Sequence, residues 1–347
     1  MQGAFIIKML KKNNKNIVSE FRRDLVSGDW ILISSLRNTR PHFLGKKEKV
    51  KKKALIKNCP FEDPQKSGNA DPVLQYFKPS SKDWFVQVIP NKYPLLLKNK
   101  LRASFDLEGV HQRIDAIGFH EIVITRDHKK NLEKMSPAEI TMVLRAYQER
   151  YKNMEKSEYI DYILIFHNKG ELAGATIEHP HSQIVALPIT PPDISSSISG
   201  AGDFFKKYKK CIHCTILDRE IKEKKRVVFK NKHFITINPY ASRVPYETRI
   251  FPLKHSSDFE ETSDEELTYL AKSLKDALMR ISKALKNPDY NFFIHTASAK
   301  VKDVPYYHWH IEILPRTYKW AGLELGTGIE VVTIPPEKAA EHLRSVL

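Results

Sequence analysis

Cysteine is scarce in this chain, with three in 347 residues. So few cannot staple a domain, which excludes a disulfide scaffold. Two of them form the pair Cys211-x-x-Cys214. That pair suits metal binding in a reducing compartment, and a cytoplasmic setting is expected. No apolar run is long enough to span a bilayer, so no membrane partner is expected. Residues 1–15 hold one short apolar patch, at 4–7, and no small-residue cleavage pattern. A secretory signal is therefore not expected there.

Acidic residues are also in deficit: 41 Asp and Glu against 57 Lys and Arg, a net charge of +16. The excess invites a nucleic-acid reading, here a zinc-containing nucleic-acid-binding protein. The basic runs at 46–53 and 222–226 have no interleaved aromatics on which bases could stack. Their lysine-rich character suits a solvated face better than base readout. A solvated surface that attracts small phosphorylated molecules is the expectation, with nucleic acid set aside.

The chain is long enough, at 41% hydrophobic content, to bury a large core as two domains or one duplicated domain. Internal matches favour duplication. Asp161-Tyr162-Ile163-Leu164-Ile165-Phe166-His167-Asn168 matches Asp289-Tyr290-Asn291-Phe292-Phe293-Ile294-His295-Thr296 without a gap. His179-Pro180-His181 and His308-Trp309-His310 follow, each ahead of an apolar run that ends in proline. Upstream, the segment from Glu121 to His128 resembles that from Glu247 to His255. Ser136 and Ser263 then open capping boxes, which predict helices to about Asn153 and Leu285. Phe85-Val86-Gln87-Val88-Ile89-Pro90 resembles Phe234-Ile235-Thr236-Ile237-Asn238-Pro239. Each half begins with a cysteine turn, Cys59-Pro60-Phe61-Glu62 or Cys211-Ile212-His213-Cys214. The order of turn, strands, helix, strand and His-x-His strand predicts an α+β fold with an antiparallel sheet. The halves are expected at 1–190 and 191–347, with the Pro/Ser/Gly-rich segment 191–202 as linker.

Matched positions select metal ligands. In the second half they are Cys211, Cys214, His255 and His308, a tetrahedral zinc set. The first-half counterparts are Cys59, Glu62, His128 and His179. The spacing from His128 to His179 is 51 residues and from His255 to His308 is 53. Glu62 stands where a second cysteine would be. A carboxylate can ligate zinc, but loss of this metal remains the other reading. His167 and His295, each ending an apolar strand, read as core histidines.

The chemistry is expected at His179-Pro180-His181-Ser182-Gln183. On a strand, His179, His181 and Gln183 share one face. With His179 given to a metal or to the backbone, His181 is free to act as a nucleophile. Gln183 can donate a hydrogen bond to a phosphoryl oxygen, whereas Glu312, its counterpart after His310, would repel phosphate. The segment from Asn168 to Thr176 supplies Gly170 and Gly174 for a close backbone approach to an anion, with Lys169 and Thr176 as further donors. Arg37 and Arg40 are candidate phosphate clamps.

Together these residues resemble the galactose-1-phosphate uridylyltransferase family of the histidine-triad superfamily. The likeness runs along nearly the whole chain. It includes Arg37-x-x-Arg40-Pro41, Pro90-Asn91-Lys92-Tyr93-Pro94, Asp127-His128, Asn168-Lys169-Gly170, Gly174-Ala175-Thr176, His179-Pro180-His181-x-Gln183, Pro245-Tyr246-Glu247-Thr248, His308-Trp309-His310 and the segment from Gly322 to Gly328. The resemblance implies a duplicated histidine-triad fold, one or two zinc ions per chain, and a homodimer with shared sites. It implies that His181 takes a uridylyl group from UDP-glucose and passes it to galactose 1-phosphate in a ping-pong exchange. Gln183 would hold the phosphoryl oxygen. Asn91, Asn168, Gly174, Thr176 and Arg37 or Arg40 would contact substrate, and Lys319 and Glu324 would reach the hexose phosphate of the partner subunit's site. The chain departs from the family at Glu62 and in Ile311-Glu312-Ile313-Leu314-Pro315-Arg316. An ADP-glucose phosphorylase-like branch shares much of this architecture, so adenylyl transfer to inorganic phosphate stands as the alternative.

Overall fold

The computed structural model describes residues 19–35, 37, 56–79, 81–98 and 105–347. Among these the strands are β1 (Ser19–Arg23), β2 (Trp30–Ser34), β3 (Leu74–Phe77), β4 (Trp84–Pro90), β5 (Phe105–Glu108), β6 (His111–Ile114), β7 (Phe119–Thr125), β8 (Tyr162–Lys169), β9 (His181–Leu187), β10 (Val227–Lys230), β11 (Phe234–Ile237), β12 (Thr248–Pro252), β13 (Tyr290–His295), β14 (His310–Pro315) and β15 (Val331–Val332). The helices are α1 (Pro137–Met154), α2 (Pro192–Tyr208), α3 (Ile212–Glu223), α4 (Asp264–Ala284), α5 (Gly322–Thr327) and α6 (Pro336–Ser345). Among the described residues, no helix is long and apolar enough to cross a membrane.

Ten strands form one sheet in the order β10-β11-β12-β14-β13-β8-β9-β7-β4-β3, and every neighbouring pair is antiparallel. Read inward from either edge, the order is that of one five-strand unit used twice. The units meet at β8 and β13, where Asn168 pairs with Asn291 and Phe166 with Phe293. The repeat thus closes into a single continuous sheet. β1 and β2 stand apart from it, with β15 added parallel to β2, and Ile31 and Ile33 pack on Ala241 and Val332 of the second half.

Strand side chains alternate between two faces. One face is apolar. Ile163, Ile165, Ile184, Phe292, Ile294, Ile311 and Ile313 are fully buried there and share a core with Leu144, Tyr147, Leu270 and Leu274 of α1 and α4. The other face carries His181, Gln183 and Asn168. Both long helices begin where expected. The Ser136 and Ser263 hydroxyls accept from the N–H groups of Glu139 and Glu266, and those carboxylates accept from the serine N–H groups. Arg150 of α1 grips Glu121 of β7 in a buried two-point ion pair, both contacts 2.8 Å.

Two expectations are corrected. The segment 191–202 is no loose linker, because α2 occupies most of it. Proline at its first turn costs no hydrogen bond. Ile194, Ile198 and Ala201 recur at helical spacing; Ile198 and Ala201 join a small core with Val26, Val304 and Tyr307. Gly200 is required there, since a Cβ would lie 2.0 Å from the Val26 carbonyl oxygen. The second basic run is also not simply a solvated face. Arg226 is buried between Glu220 and Glu337, at 2.7 Å from each. The first run, 46–53, lies outside the described residues.

The cap of α1 yields a pH-dependent prediction. Burial pushes the Glu139 carboxyl up, but hydrogen bonds from Lys130, Lys78 and the Ser136 N–H outweigh it and hold it at about 2. A lowered carboxylate pKa gives stability that is complete above about 4.5 and is lost as pH falls toward 2. Urea unfolding of wild type and Glu139→Gln is expected to differ most at neutral pH, with the gap closing across that window.

Candidate active site

His181 opens β9 with its ring against Phe61, centroids 5.1 Å apart. Its Nδ1–H donates to the His179 carbonyl at 2.8 Å. A carbonyl can only accept, so this bond fixes the tautomer and leaves Nε2 with a free lone pair. Burial lowers the ring's pKa, partly offset by that same hydrogen bond, and so favours the neutral, nucleophilic form. The His181 ring is therefore oriented by backbone that belongs to a metal-capable residue.

His179 itself is fully buried, and its Nε2–H donates to the Thr125 carbonyl at 2.6 Å. Its Nδ1 faces Cys59 Sγ at 3.7 Å and Glu62 Oε1 at 3.4 Å, and Glu62 Oε1 is 2.7 Å from His128 Nδ1. The donor atoms of Cys59, His128 and His179 all lie within 4.8 Å of one another. In the second half, Cys211, Cys214, His255 and His308 form a group within the same limit. Cys214 Sγ is 3.4 Å from His255 Nδ1 and 3.6 Å from His308 Nδ1. Ligands around a tetrahedral zinc stand about 3.5 Å apart. Both groups fit that ion in donor chemistry and spacing, and the Nε2 edges of His179 and His255 face the Thr125 and Val304 carbonyls as outer partners.

Gln183 shares the His181 face, and its Oε1 lies 2.8 Å from His120 Nε2. On the neighbouring strand, Asn168 Oδ1 accepts from Asn291 Nδ2 at 2.7 Å. These bonds engage the oxygen ends of Gln183 and Asn168 and leave their amide nitrogens unused, on the sheet face that carries His181. Gly170, at φ 86°, starts the loop between β8 and β9; a Cβ there would meet the Asp289 carboxylate at 2.0 Å. That carboxylate accepts from the Leu172 N–H at 2.8 Å. Gly174 and Thr176 are exposed further along the loop, Gly174 at φ 85°.

Other expected residues are placed less tightly. Asn91 is half-buried against His120. Arg37 follows β2 and is half-buried, while Arg40 lies outside the described residues. Lys319 is exposed, and the buried Glu324 accepts from the Ala321 N–H at the start of α5. His167 is a core histidine as expected. It stacks on Phe292 and reaches Ser182 Oγ at 2.9 Å, and burial lowers its pKa to about 3.

His295 is not the counterpart of His167. His310 Nδ1–H donates to the His308 carbonyl as His181 does to that of His179, which fixes the equivalence of β9 and β14. The pairings of β8 with β9 and of β13 with β14 then match Asn168, not His167, with His295. His295, His310 and Glu312 accordingly cluster on the active face. Glu312 lies 3.1 Å from Arg249 NH2, which is also 2.8 Å from Glu247. Sequence reading missed Arg249 and Glu247, and also His120 and Asn291. Arg249, His120 and Asn291 are buried strand residues and Glu247 is buried directly before β12, so hydrophobic patterning would have flagged them as polar residues among apolar ones.

The doubled sheet, carrying His181 and Gln183 on one face, has the histidine-triad fold of a nucleotidyltransferase family. The model for the galactose-1-phosphate uridyl transferase N-terminal domain matches residues 8–191, and a domain of unknown function matches 102–347. The chain is 34% identical to ADP-glucose phosphorylase of Arabidopsis thaliana over 96% of its own length and 94% of that protein's. It is 28% identical to galactose-1-phosphate uridylyltransferase of Thermotoga maritima, over 94% of this chain and 98% of that one. The crystal structure of the Arabidopsis ADP-glucose phosphorylase with bound ADP-glucose matches with a TM-score of 0.81 at 32% identity, covering 95% of this chain and all of that one. The chain belongs to the galactose-1-phosphate uridylyltransferase family.

The glycine loop can be tested directly. Gly170→Ala places a side chain at positive φ and against Asp289, and is expected to cost about 1–3 kcal/mol in denaturant unfolding. Restored stability in Gly170→Ala/Asp289→Gly would tie the cost to that contact.

Proposed function

We propose that this chain transfers a nucleotidyl group between sugar phosphates through a covalent adduct on His181, with UDP-glucose as donor and a hexose 1-phosphate such as galactose 1-phosphate as acceptor. The observation that carries this reading is the His181 ring, held through Nδ1 so that Nε2 keeps its lone pair, on the sheet face that also carries Gln183 and Asn168. In the first step Nε2 attacks the α-phosphorus, and the bond from that phosphorus to the bridging oxygen breaks. Glucose 1-phosphate leaves with the bonding pair. The His179 carbonyl holds the Nδ1 proton, which favours the positive character the ring acquires. The Gln183 and Asn168 amides donate to the phosphoryl oxygens as charge builds on them. In the second step a phosphate oxygen of the acceptor attacks the same phosphorus and His181 departs, which gives ping-pong kinetics.

Zinc would be held by Cys59, Glu62, His128 and His179, and by Cys211, Cys214, His255 and His308. As a closed structural ion it would brace the backbone under each His-x-His. The same reading puts the chain in a homodimer, with Lys319 and Glu324 serving the partner subunit's site and Arg37 and Arg40 clamping phosphate. It also puts the chain in a reducing, cytoplasmic compartment, consistent with three unpaired thiols. A second reading keeps the chemistry and changes the substrates to ADP-glucose and inorganic phosphate. The 34% identity to ADP-glucose phosphorylase favours it.

Intact mass after mixing with UDP-glucose or with ADP-glucose separates the two, because the adduct carries either a uridylyl or an adenylyl increment. The increment should be absent in His181→Asn; its persistence there would refute the nucleophile. Metal analysis of the purified chain is expected to find zinc. Cys211→Ser should lose about one ion per chain and His128→Ala another, while unchanged content would remove zinc from the account.

A further inference from the structure

A carboxamide has two ends of nearly equal shape and opposite polarity. Turned one way it donates to a phosphoryl oxygen; turned the other, it sets an oxygen lone pair against the anion. We infer that His120 and Asn291 are positioning residues that lock Gln183 and Asn168 with their NH2 ends toward the reacting phosphate. This rests on the reading of His181 as nucleophile.

Each lock begins at a group that can only donate. The Leu95 N–H donates to His120 Nδ1 at 3.0 Å. The ring proton must then sit on Nε2, which donates to Gln183 Oε1 at 2.8 Å. The Gln183 NH2 is the end that this bond leaves unengaged. Asn91 Nδ2 lies along the same ring edge, 3.4 Å from Nδ1 and 3.1 Å from Nε2, and its Oδ1 is occupied by the Tyr93 N–H at 2.9 Å. On the other side of His181, Arg316 Nε donates to Asn291 Oδ1. Asn291 Nδ2 must therefore point away from Arg316, and it donates to Asn168 Oδ1 at 2.7 Å and to the Ala173 carbonyl at 2.8 Å. Asn168 is left with its NH2 free. Neither chain can reverse, because a backbone N–H and a guanidinium have no acceptor.

The second half supports a dedicated role. His120 stands eight residues before His128, and Glu247 stands eight before His255. The strand register accordingly matches His120 with Glu247, Gln183 with Glu312, Asn168 with His295 and Asn291 with Leu164. None of these four residues is retained at its counterpart position, where His310 is buried.

The test uses the full chain and reads two quantities: the single-turnover rate of adduct formation from the donor that labels wild type, and the affinity for that donor. Asn291→Asp keeps the Arg316 partner but cannot donate to Asn168, so it turns that amide around. Asn291→Leu only releases it. The inference expects Asn291→Asp to slow adduct formation about 100-fold, and Asn291→Leu about tenfold, with donor affinity changing much less. His120→Gln can relay the same polarity and should stay within about tenfold of wild type, whereas His120→Leu should lose more. A purely structural role predicts rate losses at 291 that follow the loss of thermal stability, since Asp keeps the Arg316 contact but sets a carboxylate against the Ala173 carbonyl. Losses that track stability in that way, or a loss confined to donor affinity, would overturn the inference. Thermal unfolding identifies a variant that fails to fold; the other position then decides. Wild type that takes up no adduct from either donor would instead remove the nucleophile reading itself.

Discussion

The hydrogen bond from His181 Nδ1–H to the His179 carbonyl joins the two parts of this site. It selects the tautomer, aims Nε2 and couples His181 to the residue that the Cys59, Glu62 and His128 group surrounds. Backbone is a demanding orienter, because its carbonyl moves only if the chain moves. Here the chain is pinned on both sides. The His179 ring is tied to the Thr125 carbonyl at the end of β7, and β9 begins at His181 itself. Rigid strands flanking a reactive group hold it more closely than a loop would.

The doubled sheet supplies what one unit lacks. Asn291 and Arg316 come from the second half, yet they act on Asn168 across the seam between β8 and β13. The counterpart of Asn291 across the pseudo-twofold is Leu164, which offers no hydrogen bond. The seam is therefore symmetric in backbone and asymmetric in chemistry. The apolar face needs only hydrophobic bulk in both copies, which is why the repeat survives so plainly there. The polar face has been free to diverge.

Much of this was legible from the sequence. The capping boxes placed both long helices almost to the residue, because such signals are local. The metal-capable groups were found because cysteine and histidine at matched positions leave few alternatives. Three readings failed for a shared reason. The match of His167 to His295 was wrong by one residue, and in a strand a one-residue slip exchanges the faces. Identical tyrosines at 162 and 290 suggested the register, but hydrogen-bonded pairing decides it. Segment 191–202 looked like a linker because serine and glycine dominate it; its helix is stabilised by tertiary contacts to Val26 and Tyr307 that no local signal encodes. Arg226 looked solvated because its partner Glu337 is more than a hundred residues away.

The second half keeps the orienting bond but not the two amides of the His181 face. His310 still donates to the His308 carbonyl, and its ring is still packed, with His213 where Phe61 would be. Around it, Arg249 is drawn between Glu247 and Glu312, with Arg243 close to Glu247 and bound to Glu330. Arg249 holds the Glu312 carboxyl ionised against its burial, while burial pushes Glu247 up. A phosphate entering here would have to displace a carboxylate from an arginine already satisfied, in a setting where unpaired charge is expensive. In the first half the same positions hold an isoleucine, a glutamine and a neutral imidazole, which present donors without a resident anion. The two halves thus share the histidine and its orienting bond, and differ in whether the surrounding face carries resident ion pairs.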